Sequence, residues 1–251
     1  MDRLIYTSLS GQKHIEQRIQ QISNEIANVS TTGFKRAFAA ATETYRLDGE
    51  GYRSRYVSVV KPSSQIDLNA GPMMTTGRNL DVALRGNQLF GVLTESGELA
   101  YTRRGDLTID PTDRTLRTGS GERIASDSNG PITVPDLTEL KIGPDGTVLT
   151  KQIGGEAVVF QPLARLLVVE ADPAKVKLRT DGLYDSIDRQ PFSPATVPTV
   201  SSGVLEGSNS NLFSSMVDMI SMSRRYEMQV KMLKQASDLA ERSQTLARVA
   251  Q

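Results

Sequence analysis

The spacing of apolar residues at the two ends of the chain constrains its fold more than any other feature of the sequence. Near the N-terminus these residues are Ile15, Ile19, Ile22, Ile26 and Val29. Near the C-terminus they are Leu212, Met216, Met219, Tyr226, Val230 and Leu233. Steps of three and four place side chains along one narrow line of an α-helix, which is typical of helices that pack lengthwise on other helices. We therefore predict two terminal helices and expect these side chains to form an assembly interface.

The N-terminal line of isoleucines has two interpretations. The helix could pack on the body of its own domain, or it could pack on helices of neighbouring chains. A helix that faces its own core usually has a broad apolar face, whereas this line is narrow and straight. The second interpretation is therefore favoured, and the first stays open.

The middle of the chain follows a different period. Between about residues 77 and 187, apolar residues alternate with polar ones, as Leu80, Val82 and Leu84 do. Turn dipeptides such as Asn129-Gly130 separate the short runs. Alternation with closely spaced turns predicts antiparallel strands in a barrel or sandwich.

The predicted fold class is therefore α+β, with long N- and C-terminal α-helices forming a coiled-coil-like domain and a central all-β antiparallel barrel or sandwich. The helical domain comprises residues 1–33 and 203–251. The β-rich outer domain comprises residues 77–187. Residues 34–76 and 188–202 follow neither period, and we expect an extended arm and connector there.

Residue types that catalytic and metal sites need are scarce. The sequence has no Cys and one His, His14, which excludes thiolate sites and metal sites with two His ligands. Asp110 and Asp113 have the spacing that opens a calcium loop, but Pro111 intrudes and the later Gly and Glu are missing. We expect no catalytic residue, no metal and no cofactor. A cell-wall-acting enzyme without a recognisable motif is the alternative from another class.

Charge and hydropathy argue against two kinds of partner. The chain has 29 Lys plus Arg and 29 Asp plus Glu, and this balance argues against nucleic acid, which usually binds a basic surface. No run of about 18 apolar residues predicts a membrane span. The first eleven residues lack a basic start followed by a long apolar run, so we expect no cleaved secretory signal.

Three short segments carry motifs that neither period explains. They are Asn28-Val29-Ser30-Thr31-Thr32-Gly33-Phe34-Lys35-Arg36, Tyr101-Thr102-Arg103-Arg104-Gly105 and Gly203-Val204-Leu205-Glu206-Gly207-Ser208-Asn209. Together with Asp81 and its neighbours, they resemble, in order, the signatures of the bacterial flagellar rod and hook protein family. The residues that carry the resemblance are Asn28, Thr31, Gly33, Phe34, Lys35, Asp81, Tyr101, Thr102, Arg103, Gly105, Leu205, Glu206 and Asn209.

The resemblance implies a structural subunit of the flagellar basal-body rod that polymerises through its terminal helices and transmits torque across the periplasm. The opening residues are most similar to those of proximal rod members, and a distal rod or hook-type subunit is the alternative. The implied partners are other rod proteins, copies of the same chain and the flagellar type III export apparatus. The implied location is the rod within the periplasm, reached without a cleaved signal peptide.

Overall fold

The computed structural model describes residues 2–38, 41–46, 56–61, 65–136, 138–152 and 159–249. Contacts divide the chain into two compact units. The first, which we call the helical unit, comprises Met1–Ala27, Ala39–Ser63 and Asn211–Gln251. The second, which we call the β unit, comprises Asn28–Phe38 and Ser64–Ser210. Residues 39–40, 47–55 and 62–64 of the predicted arm lie outside the described residues.

The helical unit is built on two helices and one hairpin. Its elements are α1 Asp2–Ala27, β1 Ala41–Arg46, β2 Tyr56–Lys61 and α2 Leu212–Val249. The helices are antiparallel, since Gln12 Nε2 donates to Tyr226 Oη (3.2 Å) and Ser215 Oγ donates to Glu25 Oε2 (3.5 Å). Neither helix, as far as the structure describes them, has the length and apolar character needed to cross a bilayer.

The predicted fold class is wrong. The described residues contain seventeen strands and two α-helices, so the chain is mostly β-sheet with one helix at each end. The two helices do not form a coiled coil: polar pairs such as Gln12 with Tyr226 join them, and Met216 and Val230, which a seam would bury, are exposed. Regular apolar spacing places side chains on one side of a helix, but it does not specify that another helix covers that side.

The described residues of the β unit form fifteen short strands and one 3₁₀ turn, Pro173–Lys175. The strands are β3 Met73–Thr75, β4 Val82–Leu84, β5 Gln88–Leu93, β6 Leu99–Thr102, β7 Leu107–Ile109, β8 Leu116–Thr118, β9 Arg123–Ile124, β10 Thr138–Ile142, β11 Thr147–Gln152, β12 Gln161–Arg165, β13 Val168–Glu170, β14 Val176–Leu178, β15 Tyr184–Ser186, β16 Val200–Ser202 and β17 Val204–Glu206. Each named pairing between them is antiparallel.

An eight-stranded sheet forms the centre of the β unit. Its strand order is β14-β15-β6-β5-β9-β8-β7, and β13 also pairs with β5. A three-stranded sheet has the order β10-β11-β12, and two ribbons pair β4 with β16 and β3 with β17. The ribbons bring the last strands of the unit back to its first ones.

Both faces of the central sheet are covered by apolar side chains. Phe90 and Val92 on β5 belong to one buried cluster, whereas Leu89 and Leu93 on the same strand belong to another. Successive residues of a strand point to opposite faces. This explains why the sequence of β5 is a nearly continuous apolar run rather than an alternation of apolar and polar residues.

Candidate functional site

Three charged side chains from distant parts of the sequence meet inside the β unit. Lys35 Nζ lies 2.6 Å from Glu206 Oε1, and Arg103 Nε lies 2.5 Å from Glu206 Oε2. Lys35 is 0% exposed, Arg103 is 1% exposed and Glu206 is 2% exposed. Burying ions is costly, so such a group is retained only when each charge is closely paired.

Backbone groups complete the bonding of this cluster. Lys35 Nζ also donates to the carbonyl of Asn69 (2.7 Å), and Glu206 Oε1 accepts from the N–H of Gly71 (3.0 Å). The guanidinium of Arg103 donates to three backbone carbonyls, those of Leu84, Gly86 and Gln88. The cluster therefore ties the loop before β3 and the ends of β4 and β5 to one carboxylate.

Burial and charge act in opposite directions on the pKa values of the cluster. Burial raises the pKa of Glu206, but the nearby Arg103 charge and the hydrogen bonds from both cations outweigh it, so the pKa lies below its ordinary value. Burial lowers the pKa of Lys35, and the hydrogen bond to Glu206 only partly opposes this. Glu206 is therefore ionised at neutral pH.

This depressed pKa predicts a pH dependence. The contribution of ionised Glu206 to stability is complete above its ordinary pKa of 4.5 and is lost as pH falls through the lower pKa of the folded state. Protonated Glu and Gln have nearly the same shape and charge. We therefore expect the gap in unfolding free energy between the wild type and Glu206→Gln to shrink below about pH 4.5, as measured by urea unfolding at several pH values. A gap of constant size down to pH 3 would contradict this assignment.

The side chain of Asn209 joins two further segments beside the cluster. Its Oδ1 accepts from Arg36 N–H (2.8 Å) and its Nδ2 donates to the carbonyl of Asp67 (2.7 Å). Its own N–H donates to the carbonyl of Phe34 (3.3 Å). Asn209 thus uses its backbone and both side-chain groups to bind chain that lies far away in sequence.

Close backbone approach explains two glycines of the motifs. Gly33 has φ +68°, and a Cβ there would lie 2.5 Å from backbone atoms of Arg103. Its N–H donates to the carbonyl of Glu206 (2.7 Å). A Cβ on Gly105 would overlap the carbonyl oxygen of Val82. Only glycine fits such positions without moving the backbone.

The other motif residues lie in the same unit but have separate contacts. Asp81 is buried beside Arg78, with Nε and Oδ1 3.5 Å apart. Tyr101 on β6 is buried and its hydroxyl accepts from Phe192 N–H (3.1 Å). Thr102 Oγ1 accepts from Arg104 N–H (3.2 Å). These contacts stabilise the sheet next to the cluster.

Three motif residues remain. Asn28 and Thr31 bond to each other just after α1, with Thr31 Oγ1 donating to Asn28 Oδ1 (3.1 Å). Leu205 is a buried residue of β17. The structure therefore brings Gly33, Phe34, Lys35, Arg103, Glu206 and Asn209 together and places the rest of the motif set around them.

The predicted interface residues on the first helix lie at different depths. Ile15 and Ile22 are buried, and Ile19 and Ile26 are partly buried. Val29, beyond the end of α1, is also partly buried. Ile15 and Ile22 are therefore already covered within the single chain.

The predicted interface residues on the second helix differ in exposure. Leu212, Met219, Tyr226 and Leu233 are partly covered and lie on the face that meets α1. Met216 and Val230 are exposed. The least exposed residues of α2 that have described side chains are Leu212, Ser215, Met219, Ser221, Met222, Tyr226, Gln229, Leu233 and Ala236.

A second apolar stripe lies on the opposite side of α2. We call Phe213, Val217, Ile220 and Met228 the outer stripe; they are 80%, 65%, 55% and 58% exposed. At 100° per residue these positions are centred about 180° from the face that meets α1. Val217, Ile220 and Met228 line a shallow groove that also includes Arg224. Contiguous exposed apolar surface of this kind marks an interaction site.

Sequence reasoning missed the outer stripe and the backbone partners of the cluster. Phe213, Val217 and Ile220 have helical spacing, so the sequence could have predicted the outer stripe. The predicted interface residues of the same helix have helical spacing too, and the period alone does not distinguish the two sets. The sequence around Asn69 and Gly71 predicts a turn, because Asn, Gly and Pro favour turns. It does not predict that the carbonyl of Asn69 and the N–H of Gly71 bind the charged side chains. Among the residues that the structure describes, no three His, Asp or Glu side chains are grouped to hold a metal ion.

Parts of the chain match known protein families. A family model described as "Flagellar hook protein FlgE/F/G D1 domain" matches residues 83–150, and one described as "Flagellar basal body rod FlgEFG protein C-terminal" matches residues 201–246. Flagellar basal-body rod protein FlgF of Escherichia coli K12 is 35% identical over 253 residues, with 98% of each chain covered. The chain belongs to the flagellar basal-body rod protein family.

Other members of the rod family match over nearly their whole length. FlgF of Caulobacter vibrioides is 30% identical with 96% of each chain covered. FlgG of Bacillus subtilis is 28% identical, with 99% of this chain and 100% of that protein covered. The first rod-family model contains Arg103, and the second contains Glu206 and the outer stripe. Lys35 lies outside both matched regions, so its link to Arg103 and Glu206 is visible only in the structure.

Proposed function

We propose that this chain is a structural subunit of the flagellar rod, of the proximal type, and that it polymerises through its terminal helices without catalysing a reaction. The single observation that carries the proposal is the outer stripe on α2. Four apolar side chains at helical spacing face away from α1 and are more than half exposed. The names of the relatives, which are flagellar basal-body rod proteins, support the same proposal.

The outer stripe supplies the energy for polymerisation. Burying a Val, Ile, Phe or Met side chain stabilises a complex by about 1.5–3 kcal/mol relative to leaving it in water. A shaft that repeats by a rotation and a rise needs head-to-tail contacts that do not close into a ring. An apolar stripe exposed on one side of a helix fits such a contact.

The parts of the chain have different roles in the proposed rod. Residues 1–33 and 203–251 form the inner tube, and residues 77–187 form the outer part. Residues 34–76 and 188–202 connect them and carry torque. The partners are copies of the chain, other proximal and distal rod subunits, and the flagellar type III export apparatus during secretion. The location is the rod within the periplasm, reached without a cleaved signal peptide.

A distal-rod subunit is the second candidate. FlgG of Bacillus subtilis matches this chain from end to end. The higher identity to FlgF of Escherichia coli, 35% against 28%, favours the proximal type.

Quantitative mass spectrometry of purified hook–basal bodies tests the proposal. We expect a few copies of the chain per organelle, because a proximal segment is short. Tens of copies would favour the distal rod or the hook. Absence from the organelle would overturn the structural role, and release of muropeptides from cell wall by the purified chain would then support the cell-wall enzyme.

A further inference from the structure

We infer that residues 33–38 and 205–209 form a latch, which closes onto residues 65–72 and opens as one unit, separately from the central sheet. These two segments connect the β unit to the chain that continues into α1 and α2. The inference concerns the isolated chain, and it holds whether or not the chain assembles into a rod.

The latch is attached by polar contacts rather than by the apolar core. None of the side chains in residues 33–38 or 205–209, all of which the structure describes, belongs to either apolar cluster of the β unit. In contrast, Ile66 and Leu68 of the receiving segment are buried members of the second cluster. The receiving segment is therefore part of the sheet's core, whereas the latch segments are held by polar contacts and by the pairing of β17 with β3.

Backbone and ionic contacts join the latch to its receiving segment at both ends. Backbone bonds run from Phe38 N–H to Gln65 O (2.9 Å), from Asp67 N–H to Arg36 O (2.9 Å) and from Gly207 N–H to Pro72 O (2.8 Å). Arg36 Nε also lies 3.1 Å from Asp67 Oδ2. Both latch segments thus bind the same stretch of chain.

Glu206 makes the two latch segments depend on each other. Its carboxylate contacts Lys35, which belongs to the first segment, and Arg103, which lies at the end of β6 in the central sheet. Its backbone carbonyl accepts from Gly33 N–H (2.7 Å). Moving the second segment away would leave the buried charges of Lys35 and Arg103 without their anion. Moving the first would take one of its two cations from Glu206, so the opening of one segment favours the opening of the other.

In a latch of this kind, Glu206 holds both ends of the β unit, the one that continues into α1 and the one that continues into α2. Regions that open locally have few apolar contacts and open at lower free energy than the core. When the latch is closed, the chain enters and leaves the unit at one defined place. When it is open, both ends are released together, while the sheet stays folded.

Hydrogen exchange of the full-length chain, read at single amides by NMR, tests the latch. The reporters are the N–H groups of Gly33, Gly207 and Asn209, and the core references are those of Gly91 and Ala125, which bond within the sheet. In the wild type we expect the reporters to exchange faster than the references. We expect Glu206→Gln to speed all three reporters by a similar factor of about 100-fold or more.

A milder variant and a matched control keep the test decisive. Asn209→Ala removes the side-chain bonds to Arg36 and Asp67, and we expect it to speed the Gly33 and Gly207 reporters by about 10-fold. Glu139→Gln, at an exposed position of β10, should change neither set. Wild-type reporters that exchange as slowly as the references, or no acceleration of the reporters in either variant, would overturn the latch.

Discussion

Replacing Glu206 with Gln is expected to lower the free energy of unfolding of the β unit by about 3–5 kcal/mol. The substitution keeps the shape of the side chain but removes the negative charge. Lys35 and Arg103 are then left buried without an anion, and Coulomb attraction no longer offsets the loss of their hydration. Urea unfolding followed by tyrosine emission measures the change, because the chain has no Trp and Tyr101 and Tyr184 are buried in this unit.

Two comparison variants separate charge loss from general damage. Glu139→Gln makes the same chemical change at an exposed position of β10, and we expect an effect within about 0.5 kcal/mol. The double variant Lys35→Met, Glu206→Gln should lose less than the sum of the two single variants, because the lysine without a partner is gone. Strict additivity would show that the two side chains do not act as a pair.

Replacing Ile220 with Asp is expected to prevent incorporation of the chain into the rod, while the free chain stays folded. Ile220 lies in the outer stripe and is 55% exposed, so a carboxylate there remains hydrated in the single chain. In an interface the same carboxylate would be buried without a partner, which costs several kcal/mol. Mass spectrometry of basal bodies and swimming assays in cells that lack the native copy measure incorporation. Circular dichroism and urea unfolding of the purified variant measure folding.

Gln235→Asp is the matched control for this prediction. Gln235 is exposed on the same helix, about two turns past Met228, and is not one of the four residues of the outer stripe. It receives the same charge on the same helix. We expect normal rods and normal swimming. Normal incorporation of Ile220→Asp, or equal loss with Gln235→Asp, would show that the outer stripe is not the contact.

The motif residues show how far a sequence-based analysis reaches. The resemblance identified Lys35, Arg103 and Glu206 as motif residues, and the comparisons show the family to which they point. Nothing in the sequence pairs them, because Glu206 lies 171 residues from Lys35 and 103 from Arg103 along the chain. Which segments meet depends on how strands pair, and strand pairing over long separations is not encoded by local periodicity.

The helices show where the same approach is wrong. The spacing of Met216 and Val230 predicts a buried seam, yet both are exposed. Helix α2 carries two apolar stripes, one partly covered by α1 and one open to water. A spacing of three and four cannot tell which stripe a partner covers, since either satisfies the helical period.

The sequence by itself determined the alternation between helical ends and a strand-rich middle, together with the scarcity of residues for metal or thiol chemistry. These properties depend on composition and on the period of neighbouring residues. Only the tertiary structure decided that the Glu206 carboxylate contacts both Lys35 and Arg103 and that a face of α2 is left apolar and uncovered. These properties depend on contacts between residues far apart in the chain, which arise when the backbone pairs and packs as a whole.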